Sequence, residues 1–350
     1  MIAPADLAEC RDAIRTGSRS FHAASKLMPA RVRDPALALY AFCRLADDAV
    51  DLGAAKLDAI RALRQRLDRI YAGAPADAAP DRAFAATVRA FSMPRALPEA
   101  LLEGLEWDAR GRRYETLGDL LAYCARVASS VGVMMCVLME ARDRHTLARA
   151  ADLGLAMQIT NIARDIGEDA AAGRLYLPLS WLDEAGIAPG AFLPSPGANP
   201  AVRKLVSDLL VEARRLYARA ASGVPTLPFD CRAGVFAAGA IYSGIGDAIA
   251  RNGFDSVSVR ARTGAATKLT RLAASALRAL ATPILPQPAT LYSEPDDATR
   301  FLVDAAARPA RRGAWGEVQT GRLIGVLAAL EAGDRSRRAR LAASTRRATS

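Results

Sequence analysis

Apolar residues recur at helical spacing along nearly the whole chain of 350 residues. Alanine and leucine dominate, hydrophobic residues make up 51% of the sequence, and aromatic residues are sparse. This balance favours helices because Ala and Leu have high helix propensity, whereas strands select β-branched and aromatic side chains. Only Ser256–Arg260 is a weak strand candidate. The sequence therefore predicts an all-α fold with a large buried core.

Proline, glycine and capping residues predict where the helices begin and end. Asp34-Pro35 is predicted to open a helix that runs to Asp51, and Thr116-Leu-Gly-Asp119 is predicted to cap another. The further predicted helices are Ala54–Tyr71, Pro98–Gly111, Thr116–Met139, Thr146–Asp169, Ala201–Ser222, Arg232–Asn252, Gly264–Ala281, Phe301–Ala307 and Arg322–Glu331, with a loop at Ala74–Pro80. Residues 1–285 are predicted to form one helical domain, and residues 286–350 a small helical extension with a basic, disordered tail.

The rare residue types narrow the chemistry. Only two histidines, His22 and His145, are present, which nearly excludes a zinc site or a His-centred catalytic triad. The five cysteines show no CxxC spacing, which predicts free, mostly buried thiols in a reducing compartment. Catalysis must then depend on carboxylate, arginine, tyrosine and asparagine side chains.

No secretory or membrane-spanning segment is predicted. The N-terminus lacks the basic start and apolar stretch of a signal peptide. No uncharged apolar run reaches the roughly 18–20 residues that span a bilayer. We therefore expect a cytoplasmic protein.

The net charge of +10 is concentrated at the C-terminus, since residues 301–350 hold ten Arg and four acidic residues. Nucleic-acid binding is not expected, because the run Arg335–Arg340 has no interleaved aromatic residues and no docking motif. A solvated tail is the plain interpretation, and a weak attraction to anionic lipid headgroups is the alternative.

A first acidic stripe lies on one predicted helix face. Tyr40, Arg44, Asp47, Asp48 and Asp51 recur every three or four residues, so their side chains share that face. Carboxylates at i and i+4 repel each other, and the helix dipole disfavours them near a helix C-terminus. A bound cation would compensate for both effects.

A second stripe lies on a long apolar helix and consists of Gln158, Asn161, Asp165 and Asp169, with Arg164 beside it. Burying an unpaired carboxylate among apolar residues costs free energy, so a bound metal ion is the better explanation for these residues. All the donors are hard oxygens, which selects Mg²⁺ or Mn²⁺, and Glu-x-x-His pairs of the di-iron type are absent. Because Mg²⁺ usually completes its shell with waters and phosphate oxygens, two facing stripes suit a metal-bound diphosphate. For one stripe alone, a solvated face with ordinary salt bridges remains the alternative.

Longer motifs around both stripes resemble the squalene/phytoene synthase family, especially its bacterial phytoene synthase branch. The matching runs are Gly17-Ser18-Arg19-Ser20-Phe21, Tyr40-Ala-Phe-Cys-Arg44-x-x-Asp47-Asp48-x-x-Asp51, Gln158-Ile-Thr-Asn161-Ile-Ala-Arg164-Asp165-Ile-Gly-Glu168-Asp169, Gly173-Arg174-Leu-Tyr176-Leu-Pro178 and Tyr123-Cys124. The resemblance covers about residues 10–280. One departure is Ala125-Arg126, where many members place an aromatic residue or His after the Tyr-Cys pair.

The resemblance implies a single isoprenoid-synthase domain around a central cavity. It also implies the Mg²⁺-dependent head-to-head condensation of two geranylgeranyl diphosphates, through prephytoene diphosphate, to phytoene. This is the first committed step of carotenoid biosynthesis and needs no NADPH. The implied catalytic residues are Asp47, Asp51, Asp165, Asp169 and Tyr123, and the implied metal ligands are Asp47, Asp48, Asp51, Asn161, Asp165 and Asp169. The implied substrate contacts are Ser18, Arg19, Ser20, Tyr40, Arg44, Gln158, Arg164, Arg174, Tyr242 and Arg260.

Two alternatives stay open at the level of the sequence. One is a C30 enzyme that makes squalene or dehydrosqualene from farnesyl diphosphate, and the other is a silent relative that acts as an assembly factor. Because the product is a lipid, we expect peripheral association with a membrane surface, and the next carotenoid enzyme is a candidate partner. Met134, Met135, Val137 and Met139 are candidate cavity-lining residues, with ordinary core packing as the alternative.

Overall fold

The computed structural model describes residues 2–17, 22, 24–51, 56–284, 286 and 288–308, except for the side chains of residues 50, 51 and 265. The helices in these ranges are α1 Pro4–Gly17, α2 Ala30–Asp51, α3 Lys56–Tyr71, α4 Ala79–Phe91, α5 Ala96–Ala109, α6 Leu117–Cys124, α7 Ser130–Leu138, α8 Arg144–Ala171, α9 Leu179–Glu184, α10 Pro189–Phe192, α11 Pro200–Ala221, α12 Phe229–Arg251, α13 Ala265–Ala281 and α14 Arg300–Ala306. The described ranges contain no strand, which confirms the predicted all-α fold.

Helix α8 is the longest element and packs against α7, α11, α12 and α14. The Asp143 side chain caps its start by accepting the backbone N–H groups of His145 at 3.0 Å and Thr146 at 3.1 Å. Gly154 allows a close approach, because a Cβ there would lie 2.5 Å from the Cα of Ser129. The inward face of α8 is apolar, so its polar stripe is held at a fixed position beside the core.

The helix predicted at Thr116–Met139 is capped as expected but is not continuous. Thr116 and Asp119 form the reciprocal capping box at the start of α6. Residues Ala125–Ser129 then form one π-helical turn between α6 and α7. The Ser129 hydroxyl donates to the Ala151 carbonyl of α8 at 2.7 Å, a tertiary contact that the sequence pattern does not reveal.

Several predicted boundaries were wrong, and helix α4 was not predicted at all. The predicted helices Pro98–Gly111 and Arg232–Asn252 are observed as Ala96–Ala109 and Phe229–Arg251. Helix α2 begins at Ala30 rather than Asp34, because the Pro29 carbonyl already accepts the N–H groups of Val32 and Arg33 at 2.9 and 2.8 Å. The predicted loop Ala74–Pro80 ends early, because Pro80 lies in the first turn of α4. Proline is favourable there, since its missing N–H would have no partner within the helix.

The described residues up to Arg308 form one compact unit. A buried ion pair between Arg149 and Asp152 lies under the segment that follows α13, and Arg149 and Arg219 both donate to the Glu294 carbonyl, at 3.3 and 2.9 Å. Helix α14 confirms the short helix predicted at Phe301–Ala307. The domain boundary at residue 285 stays a prediction, and the helix and basic tail predicted beyond it fall outside the described residues.

Two helical stretches in the described chain, Leu117–Leu138 and Phe229–Arg251, are long and apolar enough to cross a membrane by length and composition. Of their apolar windows, 61% and 50% are buried inside the protein, as in core helices of ordinary globular domains. They are weak evidence of membrane spans. All five cysteines are free, and four of them are buried.

Candidate active site

Two cavities adjoin each other beside α8 and share Gln158 and Asn161 in their walls. One has a volume of about 350 Å³ and is lined almost entirely by apolar side chains of α2, α7, α8 and α12. The other has a volume of about 210 Å³ and is polar. Its remaining lining residues are Asp47, Leu105, Asp108, Tyr123, Ile162, Arg164, Asp165, Asp169, Arg174 and Tyr176.

The carboxylates of the second stripe are mostly buried and surrounded by arginines. Arg164 donates from Nε to Asp165 Oδ1 at 2.7 Å, and Arg260 donates from Nε to the same oxygen at 2.9 Å. Arg174 Nε lies 3.5 Å from Asp169 Oδ1. Three guanidinium groups therefore converge on this wall, an arrangement that suits phosphate oxygens.

Arg260 reaches this wall because its loop is held against α8 at Gly167. The Gly167 N–H donates to the Ser256 carbonyl at 3.0 Å. A Cβ at position 167 would lie 2.3 Å from the Val257 carbonyl oxygen, so a larger residue would push the loop away. The same loop lets Arg260 approach Glu168 at 3.3 Å. A single glycine thus determines how Arg260 meets the second stripe.

The pKa of Asp169 is raised to about 7, mainly by burial; Arg174 opposes this shift, and the neighbouring carboxylates of Asp165, Asp108 and Glu168 add to it. The negative charge at this position is therefore poorly compensated by the protein itself.

The first stripe is more exposed. Arg44 donates from Nε to Asp48 Oδ2 at 3.0 Å and lies 3.7 Å from Asp47. Asp47 lines the polar cavity, whereas Asp48 is not among its lining residues. Asp51 is the last residue of α2, and its side chain lies outside the described parts, as do Ser18, Arg19 and Ser20.

Two tyrosines donate to one carboxylate at the rim of the polar cavity. The Tyr123 hydroxyl donates to Asp108 Oδ2 at 2.7 Å, and the Tyr176 hydroxyl donates to Asp108 Oδ1 at 2.8 Å. The two rings stack with their centroids 5.1 Å apart. Burial and the nearby Asp108 carboxylate raise the pKa of both tyrosines, so both hydroxyls stay protonated.

The apolar cavity contains the other predicted contacts. Tyr40 and Tyr242 line it together with Met135 and Met139, whereas Met134 and Val137 are packed in the core. Burial raises the pKa of Tyr242 to about 12, with Arg164 opposing this shift. The structure thus separates the predicted substrate contacts into a charged group and an apolar group, and they meet at Gln158 and Asn161.

Sequence comparison identifies the family. The sequence profile of the squalene/phytoene synthase family matches residues 14–273. The chain belongs to the squalene/phytoene synthase family. It is 55% identical over 338 residues to the phytoene synthase of Rhodobacter capsulatus, covering 96% of this chain and 98% of that one. It is also 55% identical to the phytoene synthase of Cereibacter sphaeroides, covering 96% of both chains.

Solved structures of the family share the fold. A dehydrosqualene synthase in complex with a ligand superposes with a TM-score of 0.72 and 29% identity, covering 78% of this chain and 96% of that one. A squalene synthase from Alicyclobacillus acidocaldarius gives a TM-score of 0.66 and 26% identity, covering 71% and 95%. These findings confirm the predicted family and isoprenoid-synthase fold, and they make the chain a prenyltransferase.

The residues of this family member fit a divalent cation. Asn161 Oδ1 is buried and accepts no hydrogen bond within the described structure, and Asn161 lines the same cavity as Asp165 and Asp169. All three donors are hard oxygens. Within the described ranges, no three acidic, His or Cys side chains are close enough to hold an ion by themselves. A cation here would therefore need further oxygens, such as those of waters and a diphosphate.

Sequence reasoning missed Asp108, and it quoted Tyr176 without giving it a role. A signal for Asp108 was present, because it follows Leu101 and Leu105 at helical spacing and so continues the buried face of α5. A carboxylate on an apolar face needs partners, and here the two tyrosine hydroxyls provide them.

Proposed function

We propose that this chain is a phytoene synthase that condenses two geranylgeranyl diphosphates head to head and releases diphosphate, with Mg²⁺ bound in the polar cavity. The observation that carries the proposal is the contact between the two cavities at Gln158 and Asn161. A charged compartment and an apolar compartment match the two ends of a prenyl diphosphate. The 55% identity to two phytoene synthases over nearly the full chain supports the choice of substrate.

The polar cavity would hold the diphosphate. Asn161, Asp165, Asp169 and Asp47 would bind Mg²⁺, which would neutralise the charge of the leaving group. The guanidinium of Arg260 is held beside Asp165 and Glu168 by the loop at Gly167, and it would turn from these carboxylates to diphosphate oxygens once the metal binds. Donors held close to the place where charge develops contribute strongly to stabilisation.

The apolar cavity would hold the prenyl chains and exclude water. Its walls include the apolar side chains of Val131, Met135, Met139 and Leu153. Excluding water prevents premature hydrolysis of the allylic cation, so the double bond of the second substrate can attack it.

The Tyr123–Asp108–Tyr176 group would stand where the carbocation forms. Both hydroxyl protons point to Asp108, which leaves oxygen lone pairs available to the cavity. Since the pKa of each tyrosine is raised, neither becomes a phenolate that would trap the cation. The neutral oxygens can therefore stabilise positive charge without forming a bond to it.

The direct test uses the purified full chain with Mg²⁺ and geranylgeranyl diphosphate, without NADPH. We expect release of diphosphate and formation of a C40 hydrocarbon. Farnesyl diphosphate is assayed in parallel, because it is the substrate expected of the C30 alternative. A dehydrosqualene synthase with 29% identity shares the fold. A strong preference for farnesyl diphosphate would overturn the chain length, and no turnover of either substrate would favour the assembly-factor alternative. We place the enzyme in the cytoplasm at a membrane surface, since its product is a lipid.

A further inference from the structure

Helix α13 turns three of its four leucines away from the protein. Leu269, Leu277 and Leu280 are 68%, 69% and 62% exposed, and Ile284, just beyond the helix, is 84% exposed. Helices of globular proteins normally place large apolar residues against the core and polar residues outside. Helix α13 has the opposite arrangement on its outer side.

The inner side of α13 is already satisfied by small and polar groups. Ser275 and Ala279 are buried where α13 packs on α12. Arg271 anchors the helix by donating to Asp247 Oδ2 at 2.6 Å and to the Ala240 carbonyl at 2.7 Å. The outer leucines are therefore not needed for attachment to the core.

The exposed residues form one stripe rather than scattered positions. Leu269, Leu277 and Leu280 are separated by eight and three residues, which keeps them on one face of α13, and Ile284 follows three residues after the helix ends. Phe229 is 51% exposed and lies near the C-terminal end of α13. Arg232 joins the two, because its guanidinium lies over the Phe229 ring and also donates to Thr282 Oγ1 at 2.8 Å. Contiguous apolar patches on this scale mark interaction sites.

The segment that carries the stripe is basic. Residues 256–293 contain five basic residues, Arg260, Arg262, Lys268, Arg271 and Arg278, and no acidic residue. On the neighbouring helix α12, Asp247 is paired with Arg271 and Asp230 is paired with Arg31, so Arg262, Lys268 and Arg278 give the surface beside the stripe its positive charge. Leucines flanked mainly by basic groups are typical of helices that lie on anionic membrane surfaces.

The same charge disfavours a second copy of this chain as the occupant. A two-fold dimer through this face would bring identical basic flanks together. An anionic lipid surface is the occupant whose charge is complementary.

We propose that the outer face of α13, with Ile284 and Phe229, docks on a bilayer that contains anionic phospholipid. Helix α12 lies directly behind this face, and its residues Val235, Ala238 and Tyr242 line the apolar cavity. Docking therefore leaves one helix between the bilayer and the cavity. The use of this arrangement for delivering a hydrocarbon product rests on the proposed function, whereas the docking itself does not.

The test is flotation of the full chain with phosphatidylcholine vesicles containing about 30% phosphatidylglycerol. The variant Leu277→Gln/Leu280→Gln removes apolar area from the stripe, and Val211→Gln, at a 60% exposed position on α11, is the matched control. We expect the wild type and the control to float together, and the double variant to lose at least about tenfold in its bound-to-free ratio. Circular dichroism checks that the variants remain helical.

Equal flotation of the double variant, or a wild type that does not float, would overturn the proposal. A wild-type dimer in light scattering that becomes monomeric in the double variant would assign the face to a second copy and overturn it as well. Diphosphate release from detergent-dispersed substrate is expected to be unchanged in the double variant. No release from either protein would contradict the proposed function, and flotation would still decide the docking face.

Discussion

The two acidic stripes share their spacing but differ in their surroundings. On α2, Asp47 and Asp48 are 48% and 41% exposed, and both pair with Arg44 of their own helix. Such exposed pairs contribute little to stability and can open readily. The first stripe can therefore change its partners when a substrate binds.

The second stripe is fixed by tertiary contacts. Asp165 and Asp169 are 16% and 15% exposed, and Arg260 reaches Asp165 from 95 residues away. Their surroundings are set by the packing of α8 and by the loop that follows α12. Equal spacing therefore does not mean an equal role. The second stripe is held in place by the fold, whereas the first stripe can change its ion-pair partners.

The largest expected effect follows from Asp165→Asn, which removes the charge that Arg164 and Arg260 share. We expect turnover to fall about 10³-fold, because a preorganised charge at the reacting end is lost. Diphosphate release measures the activity, and circular dichroism should show unchanged helical content. The matched control is Asp208→Asn, which breaks an exposed pair with Lys204 on α11. Activity of Asp165→Asn within tenfold of wild type would contradict the role of the second stripe.

Asp169→Asn tests the electrostatics of the same wall through stability. Burial, the main cause, raises the pKa of Asp169 to about 7 from the ordinary aspartate value of 3.8, so the metal-free native state binds a proton more tightly than the unfolded state. Stability must then fall as pH rises from about 4 to about 7. In EDTA, the wild type should lose about 2–3 kcal/mol between pH 5 and pH 8 relative to Asp169→Asn.

The measurement is denaturant unfolding of both proteins at the two pH values. If the free energy of unfolding changed equally with pH in both proteins, ionising Asp169 would cost the native state little free energy. The contrast between the two stripes would then be weaker than the structure indicates.

On the first stripe, Asp47→Asn and Asp48→Asn separate neighbouring carboxylates. Asp47 lines the polar cavity and Asp48 does not, so we expect about a 10²-fold loss for Asp47→Asn and less than about fivefold for Asp48→Asn. Steady-state kinetics at several Mg²⁺ concentrations give both values. Equal losses of activity in the two variants would contradict the distinction between them, and would mean that Arg44 releases both carboxylates when the substrate binds.

The smallest expected effect concerns the loop that carries Arg260. Gly167→Ala would place a Cβ against backbone atoms of Val257, so the loop must shift. We expect about a tenfold loss of kcat/KM and about 1–3 kcal/mol of stability. Gly118→Ala is the control, since its nearest neighbour, Thr116 Oγ1, lies at an ordinary 3.5 Å. A harmless Gly167→Ala would show that the loop is not held by this contact.

Much of the helical framework could be predicted, because hydrophobic periodicity is a local signal. The prediction Thr146–Asp169 falls within the observed Arg144–Ala171, and the capping box at Thr116 was found at its residue. Helix α4 was missed altogether, because residues 74–80 were interpreted as a loop and no helix was predicted between Tyr71 and Pro98. The π-helical turn was missed because its contact with α8 comes from a distant part of the chain.

For the site, the sequence predicted only which residues share a face of the same helix. Spacing placed the carboxylates on two faces, and the lack of other donors pointed to a hard cation. Asp108 has no spaced acidic neighbours, and its partners Tyr123 and Tyr176 come from other segments. Which groups meet across the cavity depends on tertiary packing, which periodicity does not contain.

The most direct test of the central claim is a crystal structure of the full chain soaked with Mn²⁺ and inorganic diphosphate, with Mn²⁺ located by its anomalous signal. Our account predicts Mn²⁺ coordinated by oxygens of Asn161, Asp165 and Asp169, with diphosphate oxygens extending toward Asp47 and the arginine pairs rearranged. Diphosphate bound elsewhere, or Mn²⁺ that avoids the second stripe while the pairs of Asp165 with Arg164 and Arg260 stay intact, would contradict it.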